Sequence, residues 1–236
     1  ALFRGAGIWK CMFEFLNSLC AVQSTNYLLG TSFKFYTWGI GNNAQSCKLR
    51  MPFNIIRCYE TCSVPWSFQI KNARNVHIWL TNFKYAKFFF PQPSKFPPNL
   101  KKLTLVSRHV DWKEMSIIGM LSNLGVLQIW DNFFNAWEVM DEAFSHLKFL
   151  KLSNTDLQQW GASSSSFPCL QQLVLDGCPN LQEIPSSFRS IDTLEAIELY
   201  YSSQSVADSA RQIQDSQRYM GNDGLKVLIH PQFEEQ

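Results

Sequence analysis

A hexapeptide of the form Leu-x-x-Leu-x-Leu, with Ile in place of Leu at some positions, recurs five times in the second half of this 236-residue chain. The copies begin at Leu100, Leu124, Leu147, Leu170 and Leu194, so their starting numbers rise by 24, 23, 23 and 24. Such regular spacing is not an accident of a leucine-rich composition. One copy is too short to bury its own apolar face, so neighbouring copies must stack on one another.

The spacing of the copies lies within the period of about 20–29 residues that is typical of leucine-rich repeats. We predict an α/β repeat fold: a leucine-rich repeat solenoid (horseshoe) with a concave parallel β-sheet and an irregular or helical convex side. Strands should start near residues 102, 126, 149, 172 and 196. The last two apolar positions of each copy should be buried on one side of these strands; they are Leu103, Leu105, Leu127, Ile129, Leu150, Leu152, Leu173, Leu175, Ile197 and Leu199.

Charge divides the chain near a proline pair at residues 97–98. Residues 1–99 hold 11 Lys and Arg against 2 Asp and Glu, whereas residues 100–236 hold 10 against 17. We predict a poorly defined segment over 1–95, a repeat domain with a C-terminal cap over 96–231, and a tail over 232–236. Poor order is expected over residues 1–50, where no period is found. Because the chain begins with Ala, we expect it to be a fragment of a longer protein.

Degenerate repeats are expected from about residue 53 in the first segment. Counting back one repeat length from Leu100 places Val76 at the first position of the motif, with Trp79 at the fourth. A second step of the same kind places Phe53 at the first position and Ile56 at the fourth. These two units lack most of the leucines, so the prediction depends on spacing more than on residue type.

Between and after the motifs, the pattern predicts helices over residues 112–120, 136–147 and 206–220, and a terminal strand over 225–229. An atypical last unit of this kind is what a repeat array needs at its final edge. Asn132, Asn154 and Cys178 follow three of the strands and are expected to occupy one equivalent position, where their side chains satisfy backbone groups at the turn. Cys178 is therefore interpreted as a structural residue.

Residues 96–231 resemble the C-terminal leucine-rich repeats of plant intracellular immune receptors, which have coiled-coil, nucleotide-binding and repeat domains (NBS-LRR proteins). The resemblance is strongest to the late blight resistance proteins of the nightshade family. The stretches that carry it are PNLKKLTL at 98–105, WKEMSIIGML at 112–121, FPCLQQLVL at 167–175, LQEIPSSF at 181–188, ADSARQI at 207–213 and MGNDGLKVLIHP at 220–231.

The resemblance implies a role in pathogen perception, plant defence and the hypersensitive response. It implies a cytoplasmic location, at most peripheral at membranes in a full receptor. The implied partners are a pathogen effector or a host guardee protein, and a nucleotide-binding domain of the same receptor. No G-x-x-x-x-G-K-[ST] motif occurs, so we expect no cofactor in this chain; ATP or ADP would bind a nucleotide-binding domain upstream.

The candidate binding surface is the concave face of the sheet, hereafter the sheet face, where residues between the buried leucines point. Its aromatic side chains are expected to be exposed and to anchor a protein partner, and its charge is expected to run from lysines at one end to carboxylates at the other. The candidate residues are Lys102, Thr104, Val126, Gln128, Trp130, Phe149, Lys151, Gln172, Asp176, Glu198 and Tyr200, and the same pattern points Val106, Ser153, Val174 and Ala196 outward.

Other functions remain open at this point. A repeat domain of this kind also fits the substrate adaptor of a ubiquitin ligase. The basic, aromatic first segment, with Lys84, Lys87 and residues 88–90 as a patch, allows single-stranded nucleic-acid binding, although buried aromatic packing is favoured there. The four histidines are scattered and no nucleophile has a catalytic context, so we expect neither a metal site nor an enzyme. No run of 18 apolar residues occurs, which excludes a membrane-spanning helix.

Overall fold

The computed structural model describes residues 34–38, 54–58, 73–80, 90–107, 110, 112–133 and 135–230. The chain divides into two compact units, residues 1–31 and residues 32–236, and all described residues lie in the second. The expectation of poor order over residues 1–50 falls almost wholly outside the described residues. The basic aromatic patch at residues 84–90 lies outside them too, apart from Phe90.

Within the described residues, nine strands form one parallel sheet whose order follows the chain, β1-β2-β3-β4-β5-β7-β9-β10-β11, and β6 pairs with β8 in a separate two-stranded sheet. The strands are β1 Lys34–Trp38, β2 Asn54–Cys58, β3 Asn75–Leu80, β4 Lys102–Ser107, β5 Val126–Trp130, β6 Ala136–Glu138, β7 Phe149–Ser153, β8 Gln159–Gly161, β9 Gln172–Asp176, β10 Ala196–Tyr200 and β11 Lys226–His230. The helices are α1 Trp112–Gly119 and α2 Gln204–Tyr219, with short 3₁₀ turns at Pro93–Lys95 and Ser186–Ser190.

The repeated leucines form the core of this sheet. In successive strands Leu103 lies beside Leu127, Leu127 beside Leu150, Leu150 beside Leu173, and Leu173 beside Ile197. All ten residues predicted to be buried are buried, and the five strands start at residues 102, 126, 149, 172 and 196. The predicted parallel sheet, its register and its core are therefore confirmed for these five strands.

The register predicted for the strands before residue 100 is wrong. The structure pairs Val76 with Leu103 and Ile78 with Leu105, so Val76 occupies the fourth motif position and the buried Ala73 the first. Strand β2 continues the shift, because Ile56 pairs with Ile78 at the sixth position. The connection between β3 and β4 is longer than each of those between successive sheet strands from β4 to β10. Equal spacing cannot be assumed where loop lengths vary.

The two confirmed helices, α1 and α2, are anchored in different ways. Glu114 in the first turn of α1 accepts a hydrogen bond from the backbone N–H of Phe90 (2.6 Å), which ties the helix to the loop before β4. The Ser203 hydroxyl caps α2 by accepting from the backbone N–H of Val206. Buried Val206, Ala210 and Ile213 then pack on the last repeat.

The helix predicted over residues 136–147 is wrong. Residues 136–138 form β6 instead, and the Trp137 ring stacks on that of Trp160 in β8, with centroids 5.6 Å apart and planes 3° apart. Glu142 and Phe144 adopt positive φ angles of 58° and 45°, which a right-handed helix cannot contain. Burial of the aromatic side chains therefore outweighs the acidic, helix-like composition of this segment.

The position predicted for Asn154 is also wrong by one residue. Counted from the first leucine of each motif, Asn132, Thr155 and Cys178 share one position, and all three are buried. The residues immediately before them all adopt a left-handed conformation, together with the equivalent residue of the next repeat; they are Asp131, Asn154, Gly177 and Tyr201, with φ between 49° and 67°. Asn154 belongs to this left-handed turn, and Thr155 takes the buried place.

The structural interpretation of Cys178 is confirmed. Its thiol accepts a hydrogen bond from the Thr155 hydroxyl (3.3 Å) and lies 3.8 Å from the Leu152 carbonyl oxygen, to which it donates. Burial raises the pKa of the Cys178 thiol, and the Thr155 hydroxyl offsets only part of that effect. The side chain is therefore a protonated thiol within the core.

Candidate protein-recognition surface

The residues between the buried leucines form three rows that run across the strands. The first row is Lys102, Val126, Phe149, Gln172 and Ala196; the second is Thr104, Gln128, Lys151, Val174 and Glu198; and the third is Val106, Trp130, Ser153, Asp176 and Tyr200. The parallel register thus brings all eleven candidate residues onto one face of adjoining strands. Whether this sheet face binds a protein stays a prediction.

The face is more tightly packed than expected. Trp130, Phe149 and Tyr200 are half-buried, not exposed. Thr104 is only 4% exposed and Val174 5%, although both were expected to point into solvent. Neighbouring strands in one register stand close enough for their side chains to cover one another, as when the Thr104 hydroxyl donates to Gln128 Oε1 at 3.3 Å.

Lys151 lies at the centre of one polar group on this face. Its ammonium is 2.9 Å from Asp176 Oδ2 and 4.8 Å from the centroid of the Trp130 ring. The Ser153 hydroxyl donates to the same carboxylate oxygen at 3.2 Å. The expected separation of charge between Lys151 and Asp176 is therefore wrong, because the two groups neutralise each other across adjacent strands.

Glu198 lies at the centre of a second polar group. Gln172 Nε2 donates to Glu198 Oε1, and the Tyr200 hydroxyl donates to Oε2 at 3.1 Å. The Tyr200 ring also stacks on the His230 imidazole, with centroids 4.1 Å apart and planes 3° apart. Partial burial raises the pKa of Tyr200, and its hydrogen bond to Glu198 and the nearby negative charges act in the same direction.

The sequence did not predict the residues that extend this face at either end. Strand β11 adds Lys226, Leu228 and His230 to the three rows, and β3 adds His77 beside Thr104. Burial and the nearby charge of Lys102 lower the pKa of His77 to about 4, so its imidazole is neutral at neutral pH. The sequence predicts the terminal strand but not its register against β10, which places His230 beside Tyr200.

The described part of the chain contains no group of three or more His, Cys, Asp or Glu side chains that could hold a metal ion. In the same residues, no helix is both long enough and apolar enough to cross a bilayer.

The described residues form mainly a parallel sheet with few helices, an arrangement compatible with an α/β repeat fold. No family model matches the chain. Two late blight resistance protein homologs of Solanum demissum are each 40% identical to it, over 124 residues (51% of this chain) and 142 residues (58%). A late blight resistance protein of the same plant is 40% identical over 138 residues, or 56% of the chain.

The resemblance to late blight resistance proteins of the nightshade family is therefore confirmed. The chain spans about a tenth of the length of the curated relatives it matches, since the aligned part covers 11% of each of these three.

Proposed function

We propose that residues 96–231 are a leucine-rich repeat domain of a plant disease-resistance receptor, acting in pathogen perception and defence through protein recognition on the sheet face. The observation that carries the proposal is the 40% identity to late blight resistance proteins over 51–58% of the chain. A cytoplasmic receptor of the NBS-LRR type, with the hypersensitive response as its output, accords with those relatives. The chain itself recognises protein and catalyses no reaction.

A leucine-rich repeat solenoid accords with the geometry of the described residues. The units that begin at Leu124, Leu147 and Leu170 each contribute one sheet strand, one left-handed residue and one buried residue after it. Each strand of the sheet pairs only with its neighbours in chain order. The apolar residues of one unit are covered by those of the next, so the units form one continuous core. The sheet face is then a broad surface to which every unit contributes.

The sheet face has the chemistry of a protein interface. Trp130, Phe149 and Tyr200 present large ring surfaces whose side chains are already held by their neighbours, so binding orders few additional torsions. Polar groups that are already hydrogen-bonded to one another give a partner a fixed pattern to match. A pathogen effector, a host guardee protein or a nucleotide-binding domain of the same receptor would meet this face.

If the partner is a domain of the same receptor, the sheet face would inhibit the receptor. Docking of the sheet face on a nucleotide-binding domain favours the inactive arrangement by the free energy of that contact, and a competing effector would release it. The charge of residues 100–236, with 17 acidic against 10 basic residues, favours a basic partner surface.

The test is a pull-down between this chain and the nucleotide-binding region of a late blight resistance protein, paired with a cell-death assay in leaves. Trp130→Ala and Glu198→Arg should each reduce capture and change cell death. Tyr219→Ala and Glu183→Arg are the control variants: each removes an aromatic ring or reverses a charge at an exposed position outside the sheet, and should have no effect. If the two control variants alter both assays and the two face variants alter neither, the sheet face is not the working surface.

A further inference from the structure

The two carboxylates on the C-terminal half of the sheet face are in opposite electrostatic situations. Asp176 is neutralised by Lys151, whose ammonium lies 2.9 Å away. Among the residues that the structure describes, Glu198 accepts hydrogen bonds only from the neutral groups of Gln172 and Tyr200, and it makes no ion pair. Within the described part of the chain, two hydrogen bonds hold its negative charge in place and no cation pairs with it.

Two ring side chains and one aliphatic side chain lie beside Glu198. Tyr200 and His230, on adjacent strands, stack face to face with their rings parallel. Leu228 pairs directly with Glu198 in the register of β10 and β11, and 46% of its surface remains exposed. A carboxylate, two aromatic rings and an aliphatic side chain thus adjoin one another at this corner of the sheet.

The segment that contains this corner has a net charge of the same sign as Glu198, although Lys226 of β11 lies on the same face. Residues 170–230 contain eight Asp and Glu against four Lys and Arg, a net charge of −4. Four of the charged residues pair among themselves on α2, as Arg211 does with Asp208 and Arg218 with Asp215. The remaining field is negative and attracts a cationic partner.

We propose that the corner formed by Glu198, Tyr200, Leu228 and His230 binds an arginine side chain of a basic segment of the protein partner. A guanidinium is planar and donates two parallel hydrogen bonds to a carboxylate, whose remaining lone pairs Glu198 keeps free. It also stacks on aromatic rings and carries an apolar stem that fits beside Leu228. Lysine, a compact and strongly hydrated cation, uses the rings less well. The inference deepens the proposed function and rests on it.

The test uses the whole 236-residue chain and a defined probe, the tripeptide acetyl-Ser-Arg-Ser-amide. Binding is followed by NMR through the imidazole signal of His230, which is assigned by its absence in His230→Gln. The matched probe carries citrulline in place of arginine, because citrulline keeps the shape of the side chain and removes its charge. We expect the arginine peptide to shift the His230 signal with saturation, and the citrulline peptide to leave it in place.

Two variants separate charge from shape. Glu198→Gln should weaken binding of the arginine peptide about two- to fivefold, as expected for loss of one ion pair. Gln172→Lys should weaken it too, because the new ammonium would neutralise Glu198 as Lys151 neutralises Asp176. Glu195→Gln, which removes the same charge at an exposed position just before β10, is the control and should bind normally. Equal binding of both peptides, no binding of either, or equal losses in Glu195→Gln and Glu198→Gln would overturn the proposal.

The arginine proposal and the proposed function fail in different ways. If the arginine peptide leaves the His230 signal unchanged while Trp130→Ala still abolishes capture in the pull-down, the arginine site is wrong and the recognition function stands. If Glu198-dependent binding of the peptide is found but no sheet-face variant affects capture or cell death, the arginine site stands and the recognition function is wrong.

Discussion

The hydroxyl of Thr155 donates a hydrogen bond to the thiol of Cys178 across 3.3 Å, from one repeat to the next, with both side chains buried. The two residues occupy the same position in successive units. Their contact connects the ends of neighbouring strands at the point where the chain turns out of the sheet. Stability at this turn therefore depends on pairs of units and not on one unit alone.

Replacing Thr155 with Val keeps the shape of the side chain and removes its hydroxyl. We expect Thr155→Val to lower the free energy of unfolding by about 1 kcal/mol, because one buried hydrogen bond between repeats is lost. Urea denaturation followed by circular dichroism measures the change. Thr155→Ser keeps the hydroxyl and removes the methyl group. If Thr155→Ser costs more than Thr155→Val, the methyl group contributes more to stability than the hydrogen bond, which contradicts the prediction.

Tyr201 adopts φ = 49° where the equivalent residues of earlier units are Asp131, Asn154 and Gly177. A left-handed conformation is unfavourable for a bulky residue and better tolerated by Asn. We therefore expect Tyr201→Asn to raise the free energy of unfolding by about 1 kcal/mol. Asn154→Tyr is the matched reverse change and should lower it. Thermal denaturation of the two variants decides the matter, and a less stable Tyr201→Asn protein would contradict the prediction.

Leu150 is fully buried in the middle strand of the repeats, between Leu127 and Leu173. We expect Leu150→Ala to cost about 2–5 kcal/mol through lost burial and the cavity that it leaves. Phe149→Ala, on the half-buried sheet face of the same strand, is the comparison and should cost less although more atoms are removed. Chemical denaturation of both variants tests whether the leucine side of β7 is the core.

The lowered pKa of His77 leads to a prediction of how the free energy of unfolding changes in acid. Its pKa falls from 6.5 to about 4 on folding, so between these values the unfolded chain binds a proton that the folded chain does not. Stability should therefore be fully present above pH 6.5 and decrease as the pH falls toward 4, by at most about 1.4 kcal/mol per pH unit. Denaturation midpoints measured for wild type and His77→Gln should show a shallower decrease in the variant. Identical pH profiles would show that His77 is not responsible.

The strands and core of the five repeats were predictable because the motif itself contains the residues that must be buried, Leu150 and its equivalents. The helix expected at residues 136–147 failed because tertiary packing of Trp137 on Trp160 is invisible in a local pattern. Asn154 was misplaced because Asn suits both a left-handed turn and a buried polar position. In each case, the error arose where neighbouring units decide the conformation.

The sequence predicts which face of the sheet the candidate residues share, but not the contacts among their side chains. Alternation along each strand places Lys151 and Glu198 on the same side of the sheet, and the structure agrees. The ion pair between Lys151 and Asp176 depends on how far a lysine reaches toward the next strand. The stacking of Tyr200 on His230 depends on the register of β11, which the whole of α2 separates from β10 in the chain. Neither can be obtained from the spacing of one motif.

The register of the sheet is independent of the length of chain between its strands. Asn54 of β2 lies beside Val76 of β3, and a short connection joins these two strands. Ala196 of β10 lies beside Lys226 of β11 in the same way, although the connection that contains α2 is much longer. Among these strands, length changes are taken up by the segments outside the sheet. Whole units can therefore be inserted or removed while the remaining rows stay aligned, and each such change widens or narrows the sheet face.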